Sequence, residues 1–190
     1  MSIFDKLKGT VSDVAKAARD AVGANNKTET IVIQKLPESL DELKAMPEAA
    51  MDTPFKTAAL TVCALCVYGA EPSIGIEMLN FLKGPRPLSE QELSFLKDRF
   101  ADNHYYIPFS YFKGATPEND YKPAEPFTLE IKAGPYAYQN EGYAKLDIAS
   151  GGADSPRQVL LRKTGDGTWY LWEQFLMVGI RDPKSLNPWA

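Results

Sequence analysis

Residues 105–127, YYIPFSYFKGATPENDYKPAEPF, divide the chain into two halves with different periodicities. This run holds seven of the twenty-one aromatic residues and four of the fourteen prolines. Proline at that spacing removes donors a helix needs, and the polar centre GATPEND is too rich in turn formers for a strand. A solvated linker would not carry seven large rings, because exposed aromatic surface drives association. The run therefore reads as an ordered loop packed by its own side chains, with helices before it and strands after it.

Upstream, Ser89 and Glu92 stand at the spacing of a capping box, and Leu88 and Leu93 at the two ends of a hydrophobic staple. Leu93, Leu96 and Phe100 give that helix an apolar face, and Asp102-Asn103 ends it. Residues 73–83 place Ile74, Met78, Leu79 and Leu82 on one face and stop at Gly84-Pro85. Thr53 as cap and Pro54 as first helical residue open a helix to Gly69. Beyond Lys56 it is apolar or small on every side, which predicts the central buried helix. Ser39 and Glu42 begin a brief helix that Pro47 closes, and residues 29–35, ETIVIQK, read as a short strand.

Downstream the period becomes two. Residues 128–132 alternate Leu129 and Ile131 with charge, and residues 143–149 alternate Ala144, Leu146 and Ile148 with Lys145 and Asp147. Residues 158–163 and 168–174 read as strands joined by the turn Thr164-Gly165-Asp166-Gly167. The last strand has Trp169 and Leu171 on one face, Tyr170 and Trp172 on the other, which predicts a central strand covered on both sides. The tail from Ile180, with Pro183, Pro188 and Trp189, is expected to fold back. The fold class is α+β: a helical N-terminal half followed by an antiparallel sheet of at least four strands, with residues 28–190 as one domain.

Residues 1–24 stand apart. Ile3, Phe4, Leu7, Val11, Val14, Ala18 and Val22 recur at three- and four-residue steps, with Asp5, Lys6, Asp13, Lys16, Arg19 and Asp20 opposite. An amphipathic helix this short is marginal alone and needs cover from its own domain, from a partner or second copy, or from a membrane surface. An Ala-rich apolar face with one Phe and nearly balanced charge weakens the membrane reading. Phe4, Leu7, Val11 and Val14 are the candidate partner-binding residues.

With 190 residues, 44% hydrophobic and 24% charged, the chain has the composition of a soluble globular protein. A net charge of −4 with no basic stripe excludes nucleic-acid binding through phosphates. The most apolar run, residues 58–68, is about half a membrane span. No secretory signal or disulfide framework is present, so the expected location is cytoplasmic.

Candidate chemistry is thin. Cys63 and Cys66 lie in the interior of the apolar helix, away from the N-terminal position that stabilises a redox thiolate, and read as core. A zinc site lacks its second half, since His104 is the only histidine, and no metal is expected. Glu118 and Asp120 are the only acids considered for acid–base work, and both sit in turn contexts. Gly151-Gly152 lacks the lysine and helix of a phosphate loop, and no cofactor motif occurs. Tyr105, Tyr106, Tyr111, Tyr121 and Asn119 remain as a candidate ligand-binding set, with closure of the core as the alternative role of the rings.

The segment YFKGATPENDY at residues 111–121, with the later GTWYLWE, resembles an uncharacterised bacterial domain family of unknown function; the opening MSIFDKLK is similar to many small bacterial cytoplasmic proteins. The resemblance implies a bacterial source and carries over no catalytic residue. The functional expectation is a non-catalytic interaction or scaffold domain with an amphipathic docking helix. Its alternative is a small-molecule-binding protein or enzyme with a pocket beside residues 105–127.

Overall fold

The computed structural model describes residues 26–186 and 189. The expected helix over residues 1–24, and with it Phe4, Leu7, Val11 and Val14, lies outside the described residues.

Thr53 and Pro54 start the central helix, α2 (Pro54–Ala70). Thr53 Oγ1 accepts from the Lys56 amide, and Pro54 occupies the first helical position, where a missing donor costs nothing. Residues 57–68 are all buried. A helix without a polar face needs cover all round. One side of α2 touches all five strands of the sheet; α3 (Pro72–Lys83) and a 3-10 segment, Ala101–Tyr111, cover the remaining circumference. The approach of α3 depends on Gly75, where a Cβ would stand 2.4 Å from Tyr68 Cα.

The two shorter helices follow their caps. At α1 (Leu40–Ala45) Ser39 Oγ accepts from the Glu42 amide, but the Glu42 carboxylate turns to the Glu38 amide, so the box is half formed. At α4 (Glu90–Arg99) the box is complete. Asp102 and Asn103, with φ of 55° and 64°, end the helical path in the left-handed region.

β1 (Lys27–Ile33), β2 (Phe127–Ala133), β3 (Tyr143–Ile148), β4 (Arg157–Lys163) and β5 (Trp169–Gln174) form one antiparallel sheet in that order. The α+β expectation holds, and β1, which precedes the other described elements, joins the meander by pairing with β2. Ile31, Ile33, Leu129, Ile131, Leu146, Ile148, Val159 and Leu161 point toward α2 and are buried, each such side chain stabilising by about 1.5–3 kcal/mol. Thr30, Glu130, Lys132, Lys145 and Arg162 point outward and are exposed.

The position of β5 differs from the sequence expectation: it is an edge strand. Trp169 and Leu171 are buried, while Tyr170 and Trp172 are half-buried on the outer face, covered by side chains instead of a second layer. The free edge is partly blocked. The Trp169 amide donates to the Met51 carbonyl at 2.8 Å, and the Trp169 carbonyl accepts from Thr57 Oγ1 at 2.6 Å. Lys83 Nζ reaches the Trp172 carbonyl at 3.2 Å. An edge so occupied is a poor template for another strand.

Part of residues 105–127 is helical after all. The 3-10 segment accommodates Pro108, and a second turn, Pro117–Asn119, follows. The shorter 3-10 turn tolerates proline where a continued α-helix would clash. The described part of the tail folds back: the Arg181 amide donates to Gly152 O at 2.9 Å, and the Ser185 amide to Asp120 Oδ1 at 3.3 Å. Among the described residues no helix is long and apolar enough to cross a membrane.

Gly75→Ala should lower stability by about 1–3 kcal/mol in urea denaturation, because the clash with Tyr68 outweighs the helix propensity gained. Gly134→Ala, whose Cβ would meet nothing nearer than Asp147 Oδ2 at 3.8 Å, should change little.

Candidate functional site

The rings of residues 105–127 are held by backbone carbonyls and one carboxylate. Tyr111 OH donates to Leu176 O at 2.5 Å, Tyr121 OH to Arg181 O at 2.7 Å, and Tyr106 OH to Asp182 Oδ1 at 2.6 Å. Tyr106 and Tyr121 stack at 5.4 Å. Burial raises all three phenols, that of Tyr121 to about 12. Asn119 closes its own turn, accepting from the Thr116 amide and donating to Gly114 O and Lys122 O. Tyr105 alone of the five is an exposed ring, at 54%. The structure thus brings Tyr106 and Tyr121 together, and commits Tyr111 and Asn119 to separate internal bonds. Gly151 and Gly152 receive this segment: Cβ atoms there would lie 1.8 Å from Ala115 O and 2.2 Å from Tyr121 OH.

Cys63 and Cys66 are both buried in α2. Burial pushes the Cys63 thiol up to about 12 and Cys66 well above its ordinary value. His104 packs edge-on against Tyr106 at 5.8 Å. Glu118 and Asp120 face the tail, the first 3.8 Å from Lys184 Nζ, the second accepting from Ser185. Among the described residues no group of three or more His, Cys, Asp or Glu is placed to hold a metal ion.

A different set of side chains converges on the outer face of the sheet. It is built from the end of α3. The buried Lys83 ammonium bonds Glu92 Oε1 at 2.6 Å as well as the Trp172 carbonyl. The other Glu92 oxygen accepts from both the amide and the hydroxyl of Ser89 at 2.8 Å, which fixes the α3–α4 connection to the body. Gly84, at φ +57°, turns the chain over β5; a Cβ there would stand 2.3 Å from the Tyr170 ring. This turn delivers Arg86 over Trp172, its guanidinium carbon 4.3 Å from the ring centroid.

Arg162, on β4, lies 5.1 Å from the same indole and 5.0 Å from the Tyr143 ring, and donates to the Tyr143 hydroxyl. Tyr143 meets Trp172 edge-on at 5.7 Å. Two clefts share Trp172 as a wall: one of about 210 Å³ with Pro85, Arg86, Arg162 and Tyr170, and one of about 390 Å³ with Tyr136, Tyr143 and Leu160. Stacked cations at exposed sites contribute about 0.5–1 kcal/mol each, so a purely structural role is covered by this geometry. A guanidinium held against a ring also keeps planar N–H donors that can meet an oxyanion. Among the described residues no carboxylate pairs with Arg86 or Arg162. Sequence reasoning did not find this cluster, because its members are scattered and only the β3–β4–β5 register unites them. The available signal was period-two alternation, which puts Tyr143, Arg162 and Trp172 on one side of the sheet.

Residues 35–184 match a family described as a domain of unknown function, DUF6935. The chain belongs to this family. The match begins beyond β1 and contains every residue of the outer-face cluster. Neither curated proteins nor solved structures give a match.

Burial acts to raise the Glu92 carboxyl, but the hydrogen bonds from Lys83 and Ser89 and the Lys83 charge outweigh it, holding the group below its ordinary 4.5. The unfolded chain therefore takes up the proton first as pH falls from neutrality. The stability that ionised Glu92 contributes is present above 4.5 and lost as pH falls through the depressed folded value. Urea denaturation from about pH 7 to about pH 3 should show wild type exceeding Glu92→Gln at the upper end, with the difference closing at the lower. Lys83→Met should cost about 1–3 kcal/mol at neutral pH, since Glu92 and the Trp172 carbonyl lose their donor. Both cysteine thiols should react with an aromatic disulfide reagent only at the rate of unfolding; fast labelling of the folded protein would contradict the core assignment.

Proposed function

We propose that this chain is a non-catalytic protein-interaction module that docks a partner on the outer face of β3–β5. The carrying observation is the convergence of Trp172, Tyr143, Arg86 and Arg162 beside two clefts. Trp, Tyr and Arg are the residue types that dominate binding energy at protein interfaces, and a rigid sheet holds them ready without a cost of ordering. The exposed Tyr136, at 68%, extends the surface onto the β2–β3 connection. Residues 1–24, with Phe4, Leu7, Val11 and Val14 on one stripe, supply a second docking element for a partner or another copy. The internal bonds of Tyr106, Tyr111, Tyr121 and Asn119 favour a structural clasp role for residues 105–127 in place of ligand binding.

The test is affinity capture of the full chain from its native cells, compared across variants. Trp172→Ala and the charge insertion Leu160→Glu should each lose proteins that wild type retains, while Tyr105→Ala keeps them. Leu160→Glu serves where Trp172→Ala fails to fold, as judged by near-ultraviolet circular dichroism. Retention of the full set by a folded outer-face variant overturns the reading.

A further inference from the structure

We infer that the outer face takes an acidic segment of another protein, bound extended across Trp172 with carboxylates on Arg86 and Arg162. This rests on the reading of that face as a docking surface and adds the chemistry of what docks.

Charge complementarity is the first support. The chain as a whole is acidic, at −4, and its buried ammonium, Lys83, has a carboxylate of its own in Glu92. Arg86 and Arg162 are exposed, lie against the same indole, and have no such carboxylate among the described residues. Arg162 spends one donor on the Tyr143 hydroxyl, which holds the fork in place and leaves its other donors for a ligand. A planar fork held against a ring suits a carboxylate, which accepts two parallel N–H bonds.

The shape of the surface is the second support. The two clefts meet at Trp172, so a ligand occupying both must cross the indole. An extended peptide does this naturally, because residues two apart point the same way at about 6.6–6.8 Å spacing. The cleft beside Pro85 and Tyr170 is mainly apolar and takes an aliphatic or aromatic side chain; the arginines on its rim take the flanking acids. A single-stranded nucleic acid shares the ring contacts and the anionic charge, but it needs an unbroken basic track along its backbone, and on this face Glu130 and Asp147 interrupt Lys132, Lys145 and Arg162.

The experiment uses the full chain and a fluorescein-labelled peptide of alternating Glu and Leu, with a Gln-for-Glu counterpart and a short single-stranded oligothymidine, read by fluorescence anisotropy. The Glu peptide should bind at least roughly tenfold tighter than the Gln peptide, with the advantage shrinking as salt rises. Arg86→Ala with Arg162→Ala should erase that advantage, and both side chains are exposed, so the fold is retained. Arg86→Glu with Arg162→Glu should transfer the preference to a Lys-for-Glu peptide. Equal affinity for the Glu and Gln peptides overturns the inference, as does a Glu preference that survives the double alanine variant. Tighter binding of the oligothymidine than of the Glu peptide overturns the assigned ligand class. If the acidic preference is missing while Trp172→Ala and Leu160→Glu still lose their captured proteins, the docking surface stands and only its chemistry falls. If those variants capture everything wild type does, the docking surface falls as well.

Discussion

A helix with no polar face is the constraint on which the rest of this domain depends. Because α2 is apolar around its whole circumference, a single sheet leaves it half uncovered, and the chain must supply a second roof. It does so with α3 and the 3-10 segment Ala101–Tyr111, and both come close only where glycine allows. Gly75 lies against the Tyr68 backbone, and at Gly69 a Cβ would meet Tyr105 Cβ at 3.0 Å. The aromatic segment is then pinned by the chain that follows β5, through the hydroxyls of Tyr106, Tyr111 and Tyr121. The dense aromatic content of residues 105–127 follows from that roofing task.

The same arrangement carries order from the core to the surface. Glu92 caps α4 and binds the Lys83 ammonium, and Lys83 in turn holds the edge of β5 at Trp172. The loop between Lys83 and Ser89 is therefore fixed at both ends, and Arg86 sits in its middle. An exposed arginine on a free loop would sample many rotamers before meeting a ligand. Here the loss of freedom has already been met in folding, which is the general condition for strong contact by few residues.

Local features were legible in the sequence to the extent that they are local. The Ser89–Glu92 box, the Thr53-Pro54 start, the Thr164–Gly167 turn and the apolar helix were readable because each depends on neighbours a few residues apart. The half-formed box at Ser39 shows the limit: the spacing was right, but the Glu42 carboxylate found the Glu38 amide instead. The edge position of β5 departs from its sequence pattern for a physical reason. Aromatic residues on both faces of a strand suggest a packed layer on both, whereas two guanidinium groups and a glycine turn cover Tyr170 and Trp172. The candidate site was out of reach for a related reason, since strand register, which unites residues 86, 143, 162 and 172, leaves no trace at short range.

β1 lies ahead of the segment that matches the family, yet Ile31 and Ile33 belong to the core and the whole strand pairs with β2. A fragment trimmed to the family limits would bare the ladder of β2 along Phe127–Ala133. Unpaired ladders recruit strands from other molecules, and this one alternates Leu129 and Ile131 with charged neighbours, a pattern that fits a second sheet. The leading strand, outside the family match, thus belongs to the sheet and takes over from β2 as its edge.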